Sequence, residues 1–302
     1  MSKLYNFFTD KRLRFSYLTA MGLTRWMSDE QFLKKEYFLQ MGKPLNLNDP
    51  KTFNEKLQWL KIHNRKPEYT TMVDKYAVKQ YVADRIGEQY IIPTLGVWEH
   101  FDDIDFDNLP KQFVLKCTHD SGGIVICRDK SKLDKKTAKK KLEYYLKRKY
   151  YYIHREWPYK NVKPRIIDEK YMTNGDGEDL NDYKLMCFNG KVKTTFVCSD
   201  RFSKDGLKVT FYDTDWRRMP FERHYPASKT EIDKPQTYEE MVILAEKLAF
   251  GIPFVRVDFY EINGNIYFGE LTFFPGSGYE EFTPEEWDKT LGNWIKPFAQ
   301  DI

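Results

Sequence analysis

Residues 254–278 read "FVRVDFYEINGNIYFGELTFFPGSG": two apolar runs that carry Arg256, Asp258 and Glu270 and are joined through Asn263-Gly264. Successive side chains of a strand point to opposite faces. Phe254, Arg256, Asp258 and Tyr260 therefore share one face, and Val255, Val257 and Phe259 share the other. The second run divides the same way, Gly269, Leu271 and Phe273 against Glu270, Thr272 and Phe274. Asn-Gly is a strong hairpin-turn signal. A two-residue Asn263-Gly264 loop pairs Ile262 with Asn265, and hence Val257 with Glu270, which seats a carboxylate among apolar neighbours. A slip of one residue is enough to cause that fault, and a three-residue loop removes it. Asn263-Gly264-Asn265 sets Asp258 opposite Glu270, whereas Ile262-Asn263-Gly264 sets Arg256 opposite Glu270. In either register Arg256, Asp258, Glu270 and Thr272 occupy one face. Two carboxylates across a ladder repel unless something positive lies between them, and oxygen ligands so spaced suit Mg²⁺ together with substrate phosphates. The plain alternative is a solvated face whose charges Arg256 balances.

A second stretch, "FVLKCTHDSGGIVICRD" (113–129), reads as strand, small-residue loop and strand. Lys116 lies on the first strand and His119-Asp120-Ser121-Gly122-Gly123 form the loop. Glycines let backbone N–H groups approach phosphate oxygens, and a lysine adds a point charge. The loop is not a P-loop, because Gly-Lys-Ser/Thr is absent and no helix follows directly.

Around these two stretches the chain reads as α+β. Residues 1–90 are mainly helical: Ser28 and Gln31 form a capping-box pattern closed by Gly42, a helix starts behind Asp49-Pro50, and another ends at Gly87. A helix of about 20 residues is expected at 134–152, with Leu142, Tyr145 and Leu146 as its inner stripe and lysines around the rest. Strands follow at "PRIIDEKYM", in a hairpin about Asn189-Gly190, and at "KVTFYDTDW". In "TYEEMVILAEKLAFG", Met241, Leu244, Ala245 and Leu248 form the inner stripe of an amphipathic helix ended by Gly251.

The 302 residues suffice for one large domain or two smaller ones, and the 41% hydrophobic and 31% charged content fits a soluble globular protein. A net charge of +4 is too slight to argue for nucleic acid. No apolar run reaches the roughly 18–20 residues that span a bilayer, and the N-terminus lacks a signal-peptide pattern. Cys117, Cys127, Cys187 and Cys198 have no CxxC spacing, so buried free thiols in a reducing cytoplasm are expected. Peripheral contact with the inner face of a membrane stays open, and the oligomeric state is not legible.

Order along the chain carries the functional reading. Lys75 after Asp74, Lys116 and its loop, "IIDEKYM", Lys184, then Arg256, Asp258 and Glu270 form a succession that resembles the ATP-grasp superfamily, TupA-like branch, of teichuronopeptide and polysaccharide biosynthesis. The resemblance covers about residues 50–295 and includes "FNEKLQWL", "DKYAVKQYV", "EWPYK", "DYKLMCFNGKV", "FGELTFFPGSG" and "EFTPEEWDKTLG". It implies an ATP-grasp-like α+β fold with a small nucleotide-lid subdomain (75–168) and a larger subdomain with a metal-binding hairpin (169–302); residues 1–74 depart from it, reading as a helical N-terminal region rather than the usual α/β domain.

The resemblance also implies site roles. Lys75 and Lys116 resemble phosphate-contacting lysines, and Ser121-Gly122-Gly123 the phosphate lid. Glu169, Lys170 and Met172 match the segment passing ribose and adenine. Asp258 and Glu270 match the Mg²⁺ carboxylates, with Thr272 where most of the superfamily has an Asn ligand. Arg256 matches the cation facing the transferred phosphoryl group, and Lys184 joins it as a catalytic candidate. With a lid poorer in glycine than many, His119 or Asp120 is a candidate substrate contact. The implied activity is an ATP- and Mg²⁺-dependent carboxylate–amine ligase, acting on a saccharide-linked carboxylate such as a uronic acid and on an amine. A phosphotransferase on the same scaffold is one alternative. A glycosyltransferase using Asp213-Thr214-Asp215 as a metal-binding DxD is another, although DxD also occurs at Asp103/Asp105 and Asp105/Asp107.

Overall fold

The computed structural model describes residues 9–174, 180–199 and 206–296. Among them, five α-helices precede the first strand: α1 (Lys11–Ala20), α2 (Asp29–Met41), α3 (Phe53–His63), α4 (Glu68–Val73) and α5 (Ala77–Ile86). The capping box of α2 forms as expected, Ser28 accepting from the Gln31 N–H while the Gln31 side chain accepts from the Ser28 N–H. Gly42 closes the helix at φ 69°. The start expected at Asp49-Pro50 is corrected. Thr52 caps α3 and Glu55 completes a second capping box, because only that pair places both side chains over free N–H groups.

Four strands, β1 (Thr94–Trp98), β2 (Phe113–Cys117), β3 (Ile124–Cys127) and β4 (Ile166–Lys170), form an antiparallel sheet in the order β1-β4-β2-β3. β4 crosses the expected boundary between 168 and 169. α6 (Lys135–Leu146) backs this sheet, with Ala138 and Leu142 packed against Phe113, Leu115, Cys117 and Ile166. The single helix expected at 134–152 is instead α6 and a one-turn helix α7 (Tyr151–His154). Between them the chain swings so that the Arg148 guanidinium reaches Asp120 at 3.3 Å and its carbonyl meets His119 Nε2 at 3.2 Å.

A second antiparallel sheet follows, built from β5 (Asp182–Phe188), β6 (Lys191–Ser199) and β7 (Lys208–Tyr212). After the short β8 (Glu222–Arg223) and helix α8 (Tyr238–Ala249), β9 (Phe254–Ile262) and β10 (Asn265–Thr272) complete it in the order β10-β9-β5-β6-β7. β11 (Phe282–Thr283) pairs with β8, and α9 (Glu286–Trp294) packs on α3. The predicted stripe of α8, Met241, Leu244, Ala245 and Leu248, is buried in the main core with Val255, Val257 and Phe259 of β9. All four cysteines are buried and free.

The β9–β10 hairpin corrects one expectation and meets another. Its loop has two residues, Asn263 and Gly264, both at positive φ (52° and 74°), and Ile262 pairs with Asn265. The extra residue that restores parity is a bulge at Gly269, after which Glu270 pairs with Asp258 and Thr272 with Arg256. Glycine suits that spot: a Cβ there would sit 3.1 Å from the Tyr260 ring and 3.2 Å from the Asp258 carbonyl oxygen.

Candidate active site

The two larger sheets face each other across a cleft, and the strand period decides which side chains enter it. Asp182 and Lys184 on β5, and Arg256 and Asp258 on β9, are i,i+2 pairs on one sheet face, and Lys184 pairs in register with Asp258. Opposite them, Lys116 on β2 and Glu169 on β4 project from the smaller sheet. Lys75 is held at the start of α5. The Asp74 carboxylate accepts from Tyr76 and Ala77 N–H, and the Lys75 N–H donates to the Thr118 carbonyl.

Lys75, Lys116, Ser121, Glu169, Lys184, Asp258 and Glu270 all line one cavity of about 260 Å³, with Val78, Ile91, Ile92 and Phe268 as its apolar wall. Arg256 and Thr272 line a second cavity of about 490 Å³, which shares Lys75, Ser121 and Glu270 with the first. Gly122, Gly123, Lys170 and Met172 line neither cavity. The two glycines admit Tyr145: a Cβ on Gly122 would meet its ring at 2.5 Å, and one on Gly123 would meet the Cys117 Sγ at 2.6 Å. The Lys170 N–H donates to the Pro93 carbonyl, and its side chain is exposed. The candidate substrate contacts His119 and Asp120 are buried and line neither cavity. They hold the loop instead: the Asp120 carboxylate accepts from the Gly122 N–H at 2.7 Å, and Lys75 Nζ donates to the Asp120 carbonyl at 2.6 Å.

Charge is the organising feature. Arg256 donates from Nε and Nη2 to the two Asp258 oxygens at 2.6 and 2.7 Å, and from Nη2 to Glu270 Oε1 at 2.8 Å and Thr272 Oγ1 at 3.0 Å. Lys184 bridges Asp258 and Asp182, the latter at 2.6 Å. Across the cleft Glu169 is clamped by Lys79 at 2.6 Å and Lys116 at 2.5 Å. Burial opposes the Glu169 charge, but the two ammonium groups outweigh it and keep its carboxyl below the usual range. Partial desolvation in the cleft opposes the charge of Glu270, yet Arg256, Lys184 and Lys75 hold that carboxyl down at about 2. Burial pushes Lys75 below the ordinary lysine value.

Two residues of this network escaped the sequence reading. Lys79 stands one helical turn after Lys75, and Asp182 stands two residues before Lys184 on the same strand face, so both carried a periodicity signal. Asp213 and Asp215, the DxD candidate, line neither cavity. Asp213 caps its own turn and Asp215 pairs with Arg217 at 3.0 Å.

By donor chemistry Asp258 and Glu270 fit a hard divalent cation, being carboxylate oxygens of the kind Mg²⁺ takes. Among the described residues no group of three or more acidic, histidine or cysteine side chains is placed to hold a metal, and both Asp258 oxygens are engaged by Arg256 and Lys184. Glu270 is the accessible member: its side chain is 46% exposed, and only Oε1 is hydrogen-bonded among the described residues. Thr272 donates to Glu270 at 3.2 Å and so braces that carboxylate.

The second cavity holds its own buried acid. Glu156, 4% exposed, accepts from Ser277 Oγ at 2.7 Å, and burial raises its carboxyl above the usual range although Lys61 opposes this. Ser277 stands at a strained positive φ of 56°, its carbonyl held by Gln58 and Lys61 at 3.0 and 2.8 Å. Next to it, Glu36 of α2 bonds His154, which lines the cavity, and Tyr279, each at 2.8 Å.

An α+β fold with two sheets closing on a lysine- and carboxylate-lined cleft defines the ATP-grasp class. The family described as TupA-like ATPgrasp matches residues 55–296, and the chain belongs to it. The expectation drawn from the order of the sequence motifs is thereby met. No curated protein sequence matches the chain. Among solved structures, the chain is similar to the D-alanine–D-alanine ligase from Bacillus anthracis complexed with ATP (16% identity, TM-score 0.44, 74% of this chain and 63% of that one). It is also similar to the ligase of that name from Helicobacter pylori (16%, TM-score 0.41, 81% and 69%). A third is the ATP-grasp ligase PsnB complexed with a phosphomimetic precursor variant, Mg and ADP (10%, TM-score 0.42, 80% and 65%). The chain thus spans somewhat less than two thirds of the first of these.

Proposed function

We propose that the protein is an ATP-dependent carboxylate–amine ligase that joins an amino acid or other amine to a uronic acid of a capsular or cell-wall polysaccharide, in the cytoplasm at the inner face of the membrane. The observation that carries this reading is the seam at Lys75, Ser121 and Glu270, where the lysine-lined cavity meets the one that holds Arg256 and Glu156. Phosphoryl transfer needs a donor and an acceptor in line on either side of a cluster of positive charge. The meeting of the two cavities beside Lys75 and Arg256 supports that reading.

In this reading ATP occupies the smaller cavity, with adenine against Ile91 and Ile92 and ribose near Glu169. Lys75, Lys116 and Ser121 of the lid hold its phosphates. Asp258 and Glu270, braced by Thr272, would hold Mg²⁺, which supplies Lewis-acid neutralisation of the phosphates when bound. The carboxylate oxygen of the acceptor takes the γ-phosphoryl group, giving ADP and an acyl phosphate, while Arg256 and Lys184 stabilise charge on the transferring group. The amine nitrogen then attacks the acyl carbon, the C–O bond to phosphate breaks, and phosphate leaves. Glu156, with its raised carboxyl pKa, accepts the proton that the amine gives up. The division at residues 1–74, 75–168 and 169–302 belongs to the same proposal, with the helical region next to the acceptor side.

Product analysis tests the proposal. With a panel of uronates and amines, a ligase releases ADP and phosphate only when both partners are present. A stable phosphoester points instead to a phosphotransferase, and release of a sugar donor's nucleotide to a glycosyltransferase.

A further inference from the structure

A third cavity, of about 410 Å³, opens between α1 and the segment joining α6 to α7. Four cations line it, Arg25, Lys147, Arg148 and Lys149, against a single carboxylate, Glu36, which His154 and Tyr279 already engage. Arg25, Lys147 and Lys149 form no ion pair among the described residues, so their charge is uncompensated locally. The cavity shares Arg148, Ile153 and His154 with the one that holds Glu156. A molecule entering here therefore approaches the seam from the acceptor side.

Thr19 and Ala20 line the cavity, and the chain then exposes Met21 (71%), Leu23 (55%) and Trp26 (80%) around Arg25. Tyr17 and Tyr144 are exposed beside them, at 46% and 63%. Between Asp10 and Asp29 the sequence carries Lys11, Arg12, Arg14 and Arg25 and no acidic residue. Scattered exposed apolar side chains are ordinary, but three between Met21 and Trp26, in a stretch that carries cations and no acid, are not. Trp and Tyr favour the headgroup level of a bilayer, Met and Leu its acyl boundary, and Lys and Arg its anionic phosphates.

We propose that this face docks on an anionic membrane surface, with Met21, Leu23 and Trp26 entering the interface and the Arg25–Lys147–Lys149 cavity receiving lipid phosphate groups. The proposal goes beyond the ligase reading, and its test reads membrane binding rather than turnover, so either can fail alone. The full chain is floated with vesicles of phosphatidylcholine and with vesicles of equal parts phosphatidylcholine and phosphatidylglycerol. Flotation with the mixed vesicles only, reduced by salt and accompanied by a blue shift of tryptophan emission, is the expected result. Lys147→Gln/Lys149→Gln should weaken it about fivefold per cation removed. Met21→Ser/Leu23→Ser/Trp26→Ser should abolish both flotation and the emission shift while the melting temperature is kept. No flotation, equal flotation with neutral vesicles, or variants that float like the parent would overturn the proposal. Inorganic pyrophosphate bound in calorimetry without vesicle flotation would overturn it as well, by putting the cavity's ligand in solution.

Discussion

Asp258 and Glu270 face each other across one rung of the hairpin, but the structure gives them unequal parts in stability. The Asp258 side chain is 2% exposed and takes Arg256 through two hydrogen bonds, at 2.6 and 2.7 Å, as well as Lys184. The Glu270 side chain is 46% exposed and takes Arg256 through one bond of 2.8 Å. Asp258→Asn leaves two buried cations short of a counter-charge, a one-sided break that costs about 3–5 kcal/mol. Glu270→Gln keeps the volume and gives up one partly solvated charge contact, worth about 1 kcal/mol at most, and it relieves repulsion from Asp258. Urea unfolding should therefore separate the two variants clearly. Function should not follow stability: Glu270→Gln should lose the Mg²⁺-dependent gain in ATP affinity by calorimetry. It should also lower turnover by about 10²-fold or more, from the several kcal/mol that such a cation supplies. A Glu270→Gln protein that unfolds as easily as Asp258→Asn yet keeps Mg²⁺-dependent ATP binding would refute this account and make the hairpin a structural ion cluster.

Three further outcomes are expected. Lys116→Ala leaves Glu169 paired with Lys79, so the fold should hold while Mg-ATP affinity falls about 10–100-fold, the value of a lost charge-assisted hydrogen bond; unchanged affinity in calorimetry would count against the phosphate role. Gly269→Ala forces a Cβ to 3.1 Å from Tyr260 and 3.2 Å from the Asp258 carbonyl, so stability should drop by about 1 kcal/mol and Mg-ATP binding weaken as the Asp258–Glu270 rung shifts; urea unfolding and calorimetry of the variant check both effects. Asp168 is fully buried, no described residue meets its side-chain oxygens with good hydrogen-bond geometry, and burial pushes its carboxyl from 3.8 to about 7. Because the folded value is the higher one, its stabilising contribution is complete below the unfolded pKa and is lost as pH rises through about 7. The melting-temperature advantage of Asp168→Asn over the parent should thus grow between about pH 4 and about pH 7 and level off above, and a flat difference across that range would contradict the buried, protonated acid.

Much of the fold could be read from local period. The alternation of 254–274, the Ser28–Gln31 capping box, the stripe of α8 and the Asn189-Gly190 hairpin all appear where the side-chain pattern puts them. The hairpin register was legible in its outcome, Asp258 opposite Glu270, but not in its device. A longer loop and a bulge restore parity equally well, and only the crowding of Tyr260 and the Asp258 carbonyl against residue 269 selects the bulge. The helix expected across 134–152 failed for a related reason. Local propensity favours continuing it, whereas the Arg148–Asp120 pair and the Arg148 carbonyl contact to His119 reward a break.

Sequence alone determined which residues share a strand or helix face, since that depends only on backbone geometry over a few positions. From those faces and their order along the chain came the ATP-grasp assignment and the charged hairpin. Tertiary structure decided which charges meet. Lys184 with Asp258, Lys79 and Lys116 with Glu169, Glu36 with His154 and Ser277 with Glu156 join elements distant in the chain, and the last two pairs are 118 and 121 positions apart. A carboxylate reads the same in a one-letter string whether it is solvated or buried. Its partner, its desolvation and the cavity it faces arise only when both sheets and the N-terminal helices close around it, because those energies depend on distance and surroundings rather than on sequence neighbours.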